Sequence, residues 1–189
     1  MSRKMRIIVG ITGASGSLYG YTLVRTLHQL GIETHLIATE MGVKVMQFEC
    51  GVKVDDLSEY AIIHHNQNLF AAVSSGSFKT DGMVIVPCSM NSLGAIANGV
   101  GDNLLSRAAS VVMKERRNLV IVPREAPFHV IHLKNMTTLA EAGVSILPAS
   151  PGFYHKPTEI WELVTFMVAR ILDELDIEHE LMERWGEGK

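Results

Sequence analysis

The segment Arg6-Ile7-Ile8-Val9-Gly10-Ile11-Thr12-Gly13-Ala14-Ser15-Gly16 determines how the rest of the chain is interpreted. Its first half is a continuous run of apolar residues, most of them β-branched, which is typical of a strand covered on both faces in a parallel sheet. Gly13 and Gly16 then permit a tight turn, and the helical sequence from Ser17 to Leu30 begins with free backbone amides that favour an anion. The segment therefore predicts a buried first strand followed by a phosphate-binding loop.

The glycine spacing leaves a second interpretation open. Glycines at positions 10, 13 and 16 do not form the G-x-G-x-x-G pattern of dinucleotide-binding loops. A tight strand-to-helix turn without a ligand is thus the alternative to a nucleotide phosphate site. An NAD site that uses Glu40 as the ribose-binding acid is disfavoured, both by this spacing and because the chain is too short for a substrate domain.

The size of the chain limits its organisation to one domain. Its 189 residues, 47% of them hydrophobic, can bury a core but cannot form separate nucleotide and catalytic domains. We therefore predict a single domain over residues 1–189, with a C-terminal helix and tail over residues 158–189. Ten methionines and a slightly positive mean hydropathy are unusual for a small monomer and indicate buried subunit interfaces.

Charge and cysteine content exclude several classes of partner. The formal net charge is −3 and no long run of Lys or Arg occurs, so neither nucleic acid nor an anionic membrane is expected to bind. Cys50 and Cys88 are isolated, which indicates neither a disulfide framework nor a metal site. No apolar run approaches the length of a membrane span and no export segment is recognised, so we expect a cytoplasmic location.

Strand-like and helix-like segments alternate along the chain, which predicts βαβ crossovers and a doubly wound parallel sheet. In the second predicted helix, Val43, Met46 and Phe48 are expected to face the core. Asp102 is expected to cap a helix that continues to Arg117. The region from 55 to 77 has no clear pattern beyond a short helix over 69–73. The predicted strands span 6–11, 34–39, 82–88, 118–122 and 144–147, and the predicted longer helices span 18–30, 40–50, 89–98, 102–117, 128–142 and 158–175.

Polar residues directly follow the predicted strands. Because ligands in such a sheet bind beyond the carboxyl ends of the strands, these residues are expected to converge on one site. Arg124 in particular can bind a phosphate bidentately or lie against a flat ring. Ser89 could equally be only a helix cap. The residues that follow the strands are Gly13 to Gly16, Thr39, Glu40, Cys88 to Ser92, Arg124, Glu125 and Ser150 to Tyr154.

Six segments in a fixed order, with two more near the C-terminus, resemble the UbiX-type flavin prenyltransferases over nearly the whole chain. The resemblance implies a flavodoxin-like, Rossmann-like α/β/α sandwich that assembles into a homododecamer with its sites at subunit junctions. The segments are Gly13-Ala14-Ser15-Gly16, Ser74-Ser75-Gly76-Ser77-Phe78, Pro87-Cys88-Ser89-Met90, Asp102-Asn103-Leu104-Leu105, Lys114-Glu115-Arg116-Arg117, Pro123-Arg124-Glu125-Ala126-Pro127, Gly152-Phe153-Tyr154 and Arg184-Trp185.

The resemblance also implies a reaction. A dimethylallyl group from dimethylallyl monophosphate is joined to reduced FMN, which gains a fourth ring without the help of a metal. The product, prenylated FMN, then serves a separate UbiD-type decarboxylase. FMN is thus expected as co-substrate, dimethylallyl monophosphate as donor, and a decarboxylase as the recipient of the product.

The resemblance assigns roles to individual residues. Thr39 stands where the family often has Ser and Ser92 where it often has Thr, but either hydroxyl can make the same hydrogen bond. Glu49 is expected to act as acid or base. The residues expected to bind FMN are Gly13, Ala14, Ser15, Thr39, Ser89, Met90, Asn91, Ser92 and Arg124. The allyl phosphate is expected to bind to Lys114, Tyr154 and Arg170. The residues expected to take part in catalysis are Glu49, Ser15, Arg107, Lys114, Glu125 and Trp185.

Residue type alone leaves other interpretations open. Without the resemblance, Glu49, Lys114 and Arg170 would be assigned to a solvated surface, and Tyr154 and Trp185 to packing. Two other functions are compatible with the pattern: a flavin-dependent decarboxylase of the cysteine-decarboxylase type and a non-catalytic FMN carrier. The first is disfavoured because such enzymes use a histidine near the flavin and none occurs over 74–81. Four of the eight histidines, His64, His65, His129 and His132, lack partners at metal-binding spacing and are predicted to be structural or exposed.

Overall fold

Six parallel strands form the central sheet of the computed structural model, which describes residues 3–184 and residue 186. Their order, β3-β2-β1-β4-β5-β6, is that of doubly wound folds and confirms the predicted α/β class. The order reverses between β1 and β4, so the crevice for a ligand lies beyond the carboxyl ends of these two strands. The strands are β1 (Arg6–Ile11), β2 (Glu33–Ala38), β3 (Ile62–His65), β4 (Gly82–Cys88), β5 (Asn118–Pro123) and β6 (Ser145–Ile146).

Helices cover both faces of the sheet because β1 and β4 are apolar on both sides. One apolar cluster joins the sheet to α1, α2 and α6 through residues such as Leu23, Met46 and Val168. A second cluster joins the opposite face to α3, α4 and α5 through residues such as Leu93 and Leu105. The helices are α1 (Ser17–Gln29), α2 (Glu40–Cys50), α3 (Met90–Ala97), α4 (Leu104–Lys114), α5 (Val130–Glu141) and α6 (Ile160–Glu174).

The orientation predicted for α2 is only partly correct. Met46 is fully buried as expected, but Val43 is 39% exposed and Phe48 is 91% exposed. Residues along a helix are offset by about 100° each, so Phe48, two residues after Met46, lies roughly on the opposite side of the helix. Its large apolar ring therefore faces away from the core of this chain.

Several element boundaries differ from the prediction. Asn103, and not Asp102, caps α4 by accepting a hydrogen bond from the Ser106 amide. The helix ends at Lys114, three residues early, and Arg116 then takes a left-handed conformation with φ of 55°. Helix α5 begins at Val130 instead of Phe128. The short helix predicted over 69–73 is a 3₁₀ turn at Ala72–Ser74, and strand β3 was not predicted because its four residues form a half-exposed edge.

The two loops at the strand reversal are joined by a buried threonine. Thr12 is completely buried, and its hydroxyl donates to the Pro87 carbonyl over 2.9 Å while accepting from the Ser89 amide over 2.7 Å. The Thr12 amide also donates to the Pro87 carbonyl, over 3.3 Å. The loop that follows β1 is therefore held at a fixed position against the end of β4.

We predict that Thr12→Val lowers the free energy of unfolding by about 1–3 kcal/mol, because it leaves the half-buried Ser89 amide without its partner. Thr34→Val is the matched control: the Thr34 hydroxyl is also buried, in β2, but has no hydrogen-bond partner among the described residues. Urea unfolding followed by circular dichroism measures both. Equal stability of the two variants would show that the Thr12 bridge contributes nothing.

Candidate functional site

The loop after β1 lies tightly against the start of α2. A Cβ atom on Gly13 would lie 2.6 Å from the Cβ of Met41, and one on Gly42 would lie 2.6 Å from the carbonyl oxygen of Ile11, so neither position admits a side chain without movement. Gly16 has a φ of 104°, in the region that favours glycine. The glycines of the predicted loop thus serve close packing and a sharp turn into α1.

Glu49, in the last turn of α2, reaches across to this loop. Its Oε2 accepts hydrogen bonds from the Gly16 amide at 2.9 Å and the Ser17 amide at 2.8 Å. Gly16 is the N-cap of α1 and offers no side chain of its own. The Glu49 carboxylate therefore caps α1 from a neighbouring helix, where the positive end of the helix dipole favours a negative charge.

The surroundings of Glu49 keep its carboxylate ionised. Partial burial raises the pKa of Glu49, but hydrogen bonds from the Ser15 hydroxyl and from the Ser17 and Gly16 amides outweigh it, and the pKa falls below its usual value. The side chain is exposed at the carboxyl edge of the sheet. At neutral pH, Glu49 is therefore able to accept a proton from a bound molecule.

Arg124 approaches the same turn from β5. Its amide donates to the Cys88 carbonyl over 3.2 Å, and its Nε donates to the Ser15 carbonyl over 3.2 Å. The carboxylate of the next residue, Glu125, accepts from the Ala126 amide over 3.0 Å. The structure thus brings the predicted residues Ser15, Glu49 and Arg124 together around one turn. Glu125 directly follows Arg124 in the sequence.

Hydroxyl groups begin the two helices that flank this turn. Thr39 caps α2 by accepting from the Gly42 amide over 3.0 Å. Ser89 caps α3: it accepts from the Ser92 amide over 3.3 Å, and its hydroxyl lies 3.2 Å from that of Ser92. Met90 and Asn91 form the first turn of α3. Hydroxyls, helix amides and a guanidinium suit a phosphate and the polar edge of a heterocycle, so this donor set fits FMN.

Tyr154 and Arg170 line a separate pocket of about 310 Å³ between α6 and the C-terminal segment. Arg170 donates to Asp173 over 2.7 Å, and Arg184 donates to the other oxygen of Asp173 over 2.9 Å. Asp173 was not predicted from the sequence, although its position three residues after Arg170 is the spacing of a helical ion pair. The predicted residue Trp185 lies outside the described residues.

Arg107 and Lys114 belong to a third group, on α4. Arg107 donates to the Ser74 carbonyl over 3.3 Å. Lys114 pairs with Glu115 at 2.5 Å, and its Nζ would lie 2.9 Å from a Cβ built on Gly76. Both cations therefore contact the turn over 74–77, whose serines and glycine the sequence had marked as distinctive.

Lys114 lies at the opposite edge of the sheet from Glu49. Helix α4 runs antiparallel to the strands and ends just before β5, so Lys114 lies near the amino ends of the strands. Strand β5 is six residues long, which separates the two edges by about 20 Å. Within one chain, the structure does not bring Lys114 to the residues around Ser15.

The described part of the chain offers neither a metal cluster nor a membrane span. Within residues 3–184 and residue 186, no three His, Cys, Asp or Glu side chains are grouped so that they could hold a metal ion. Among the same residues, no helix is both long enough and apolar enough to cross a membrane. Cys88, at the end of β4, is fully buried, and burial raises its pKa to about 12, so its thiol stays protonated.

Comparison with known proteins gives consistent matches over nearly the full chain. The flavoprotein family model matches residues 1–172. The flavin prenyltransferase UbiX of Halalkalibacterium halodurans is 46% identical over 190 residues, covering 95% of this chain and 92% of that protein. The similarity therefore extends beyond the loop after β1 to all the helices and strands of the fold.

Solved structures agree with the fold. The crystal structure of AnUbiX in complex with FMN and dimethylallyl pyrophosphate has a TM-score of 0.96 and 40% identity, covering 99% of this chain and 100% of that chain. A dodecameric FMN-dependent UbiX-like decarboxylase from Escherichia coli O157:H7 has a TM-score of 0.90 and 42% identity, covering 93% of this chain and 97% of that chain. The FMN-dependent cysteine decarboxylase TvaF matches at 17% identity with a TM-score of 0.64, which shows a shared fold alone.

We predict that Glu49→Gln lowers the stability of the protein at pH 7 by about 0.5–1 kcal/mol, since it removes the charged cap of α1. The folded-state pKa of Glu49 lies below the unfolded value of about 4.3, so this contribution is complete above that pH and is lost as the pH falls below it. Urea unfolding at pH 7 and pH 3.5 measures the difference between variant and wild type.

The control for this prediction is Glu178→Gln, which removes an exposed carboxylate that has no hydrogen bond or ion pair in the described part of the chain. It should leave the stability unchanged at both pH values. If Glu49→Gln lowers the free energy of unfolding by as much at pH 3.5 as at pH 7, the result contradicts the role of the ionised carboxylate.

Proposed function

Because the chain belongs to the UbiX-type flavin prenyltransferases of the flavoprotein family, we propose that it transfers a dimethylallyl group from dimethylallyl monophosphate to reduced FMN. The product is prenylated FMN. The observation that carries this proposal is the match over nearly the whole chain, which includes the turn where Glu49, Ser15 and Arg124 meet. The roles of individual residues rest on that match and on the chemistry of their side chains.

We propose that FMN binds at the carboxyl edge of the sheet, beside the point where the strand order reverses between β1 and β4. Hydroxyls and helix amides there can hold its phosphate, and the Arg124 guanidinium can lie near its ring. Bound reduced FMN supplies a nucleophilic nitrogen and a nucleophilic ring carbon. The proposed contacts are Gly13, Ala14, Ser15, Thr39, Ser89, Met90, Asn91, Ser92 and Arg124.

Glu49 is the proposed proton acceptor. Bond formation at a flavin ring carbon must end with loss of a proton, and a carboxylate that is ionised at neutral pH can take it. The Ser15 hydroxyl and the Gly16 and Ser17 amides hold this carboxylate in place. Ser15 and Glu125 are proposed to support it as neighbouring polar groups.

The allyl phosphate is placed on Lys114, Tyr154 and Arg170. When its carbon–oxygen bond breaks, the phosphate leaves with the electron pair, and cationic donors stabilise the charge that develops. Tyr154 and Arg170 already share one pocket. A carrier protein without chemistry of its own has no need of this second phosphate site, which favours the enzyme over the carrier alternative.

A site that contains both Glu49 and Lys114 needs two copies of the chain. The two residues lie at opposite edges of the sheet, so Lys114 must come from a neighbouring subunit. Fully exposed rings such as Phe48 and Phe70, at 91% and 101% exposure, offer apolar surface for such contacts. We propose a homododecamer, as in the similar Escherichia coli structure.

The fate of the product completes the proposal. Prenylated FMN is proposed to pass to a separate UbiD-type decarboxylase. A cytoplasmic location is proposed because Cys50 and Cys88 are both free, as expected in a reducing compartment. The residue Trp185 is proposed to take part in catalysis on the basis of the family resemblance alone.

We predict different defects for two variants incubated with reduced FMN and dimethylallyl monophosphate. Glu49→Gln should still release phosphate but yield at least tenfold less finished prenylated FMN, since only the late proton transfer is blocked. Arg170→Ala should raise KM for the donor by about tenfold to a hundredfold, because a charge-assisted contact to phosphate is worth about 1.5–3 kcal/mol. Measuring phosphate release, together with mass spectrometry of the flavin, distinguishes the defects of the two variants. If Glu49→Gln forms prenylated FMN at the wild-type rate, Glu49 does not have the proposed role.

Mixed oligomers test whether the site is shared between subunits. Glu49→Gln and Lys114→Ala should each be strongly impaired alone. If the two residues in a site come from different chains, co-assembly in equal amounts gives intact sites and recovers about a quarter of wild-type activity. If both residues of a site come from one chain, no mixed oligomer contains an intact site, and activity stays at the level of the separate variants.

A further inference from the structure

Arg184 lies beside Arg170 in the pocket between α6 and the C-terminal segment. Both side chains line this pocket of about 310 Å³, together with Tyr154 and Phe166, whose rings pack edge to face with their centroids 5.8 Å apart. Arg170 is expected to bind the donor phosphate there. Arg184 has no part in the reaction as proposed, although it reaches the same cavity and 49% of its side chain is exposed.

One carboxylate holds both guanidinium groups. Oδ2 of Asp173 accepts from Nη1 of Arg170 over 2.7 Å, and Oδ1 accepts from Nη2 of Arg184 over 2.9 Å. Burial raises the pKa of Asp173, but its surroundings, led by the hydrogen bond and positive charge of Arg184, lower it below its usual value. Asp173 is therefore ionised at neutral pH, and because both hydrogen bonds end on this one group, the two guanidinium groups lie side by side.

A buried histidine attaches the segment that carries Arg184 to α6. Nε2 of His179 lies 3.2 Å from Oδ1 of Asp173, and its Nδ1 accepts from the Leu181 amide over 3.3 Å; only 2% of its side chain is exposed. Leu181 packs against the apolar cluster that includes α1 and α6. These contacts limit the positions that Arg184, three residues after Leu181, can take.

The charges around Arg170 disfavour a phosphate unless a second cation is present. Arg170 lies 2.7 Å from Asp173 and 3.7 Å from Glu174. Without Arg184, one positive charge would lie between two carboxylates, and the excess negative charge would repel a phosphate dianion. Arg184 cancels this excess. A guanidinium has five N–H donors, and among the described residues Arg184 donates only from Nη2, so its remaining donors are available to a ligand.

We propose that Arg184 is a second guanidinium of the donor-phosphate site, where it binds the phosphate group together with Arg170, and that His179 is the residue that positions it. This inference rests on the proposed prenyl transfer, since it extends the donor site of that reaction. Two neighbouring guanidinium groups can donate to different oxygens of one phosphate, and their planar N–H groups match phosphate geometry better than an ammonium does.

Steady-state kinetics of the oligomeric protein with reduced FMN and dimethylallyl monophosphate test the role of Arg184. Arg184→Gln should raise KM for the donor about tenfold and change kcat less than about threefold, because the contact is made both to the bound donor and to the departing phosphate. Arg184→Lys keeps the charge and should raise KM no more than about threefold. Arg25→Gln, which removes an exposed guanidinium from α1, is the matched control and should leave both constants within about twofold.

A double variant distinguishes positioning by His179 from general damage to the protein. His179→Ala should raise KM for the donor about fivefold in the wild-type background but less than about twofold in the Arg184→Gln background, because His179 acts through Arg184. The Kd of FMN, followed by flavin fluorescence, should stay within about threefold in every variant. An equal effect of His179→Ala in the two backgrounds would show that it does not position Arg184.

Direct binding separates this proposal from the proposed reaction. Calorimetric titration of dimethylallyl monophosphate into protein loaded with oxidised FMN gives the Kd of the donor without turnover, and Arg184→Gln should raise it about tenfold. If the wild type binds the donor through Arg184 but forms no prenylated FMN, the proposed reaction is wrong and the phosphate site stands. Wild-type donor affinity in Arg184→Gln would overturn the role of Arg184, whether or not the wild type forms product. If the wild type neither binds nor converts the donor, both proposals are wrong.

Discussion

The hydroxyl of Thr12 is the contact on which the geometry at the carboxyl edge of the sheet depends. By bonding to both Pro87 and Ser89, it joins the two loops at the point where the strand order reverses. The position of Ser89 sets the start of α3, and the close approach of Gly13 to Met41 sets the start of α2. A single buried polar group is tolerated there because the hydroxyl both donates and accepts a hydrogen bond, which offsets the cost of burying it.

The cations proposed for the donor phosphate have partners before any ligand arrives. Arg170 pairs with Asp173, and Lys114 pairs with Glu115. These partners hold the long side chains in place and reduce the entropy lost on binding, but a phosphate must compete with carboxylates for the same donors. Since Asp173 also binds Arg184, the position of Arg170 depends on the C-terminal segment as well as on α6.

Local patterns in the sequence were sufficient to predict the central strands and the grouping of several polar residues at the carboxyl edge of the sheet. The apolar run before Gly13 predicted β1, and the rule that ligands bind beyond strand ends grouped Ser15, Ser89 and Arg124 correctly. The sequence could not show that Glu49 reaches the start of α1, because that contact joins residues more than thirty positions apart through tertiary packing. The sequence also could not show that Lys114 lies apart from these residues. Its position at the amino edge of the sheet, and not at the carboxyl edge, follows from the direction in which α4 runs across the sheet.

The cap that Glu49 provides to α1 limits how strong a base this carboxylate can be. Every amide that stabilises its negative charge also lowers its affinity for a proton, and proton transfer is most efficient when the acceptor's pKa lies near the working pH. Holding α1 in place and accepting protons readily are therefore opposing demands on one side chain. For the role proposed for Glu49, its surroundings thus set the rigidity of the loop after β1 against the speed of the final deprotonation.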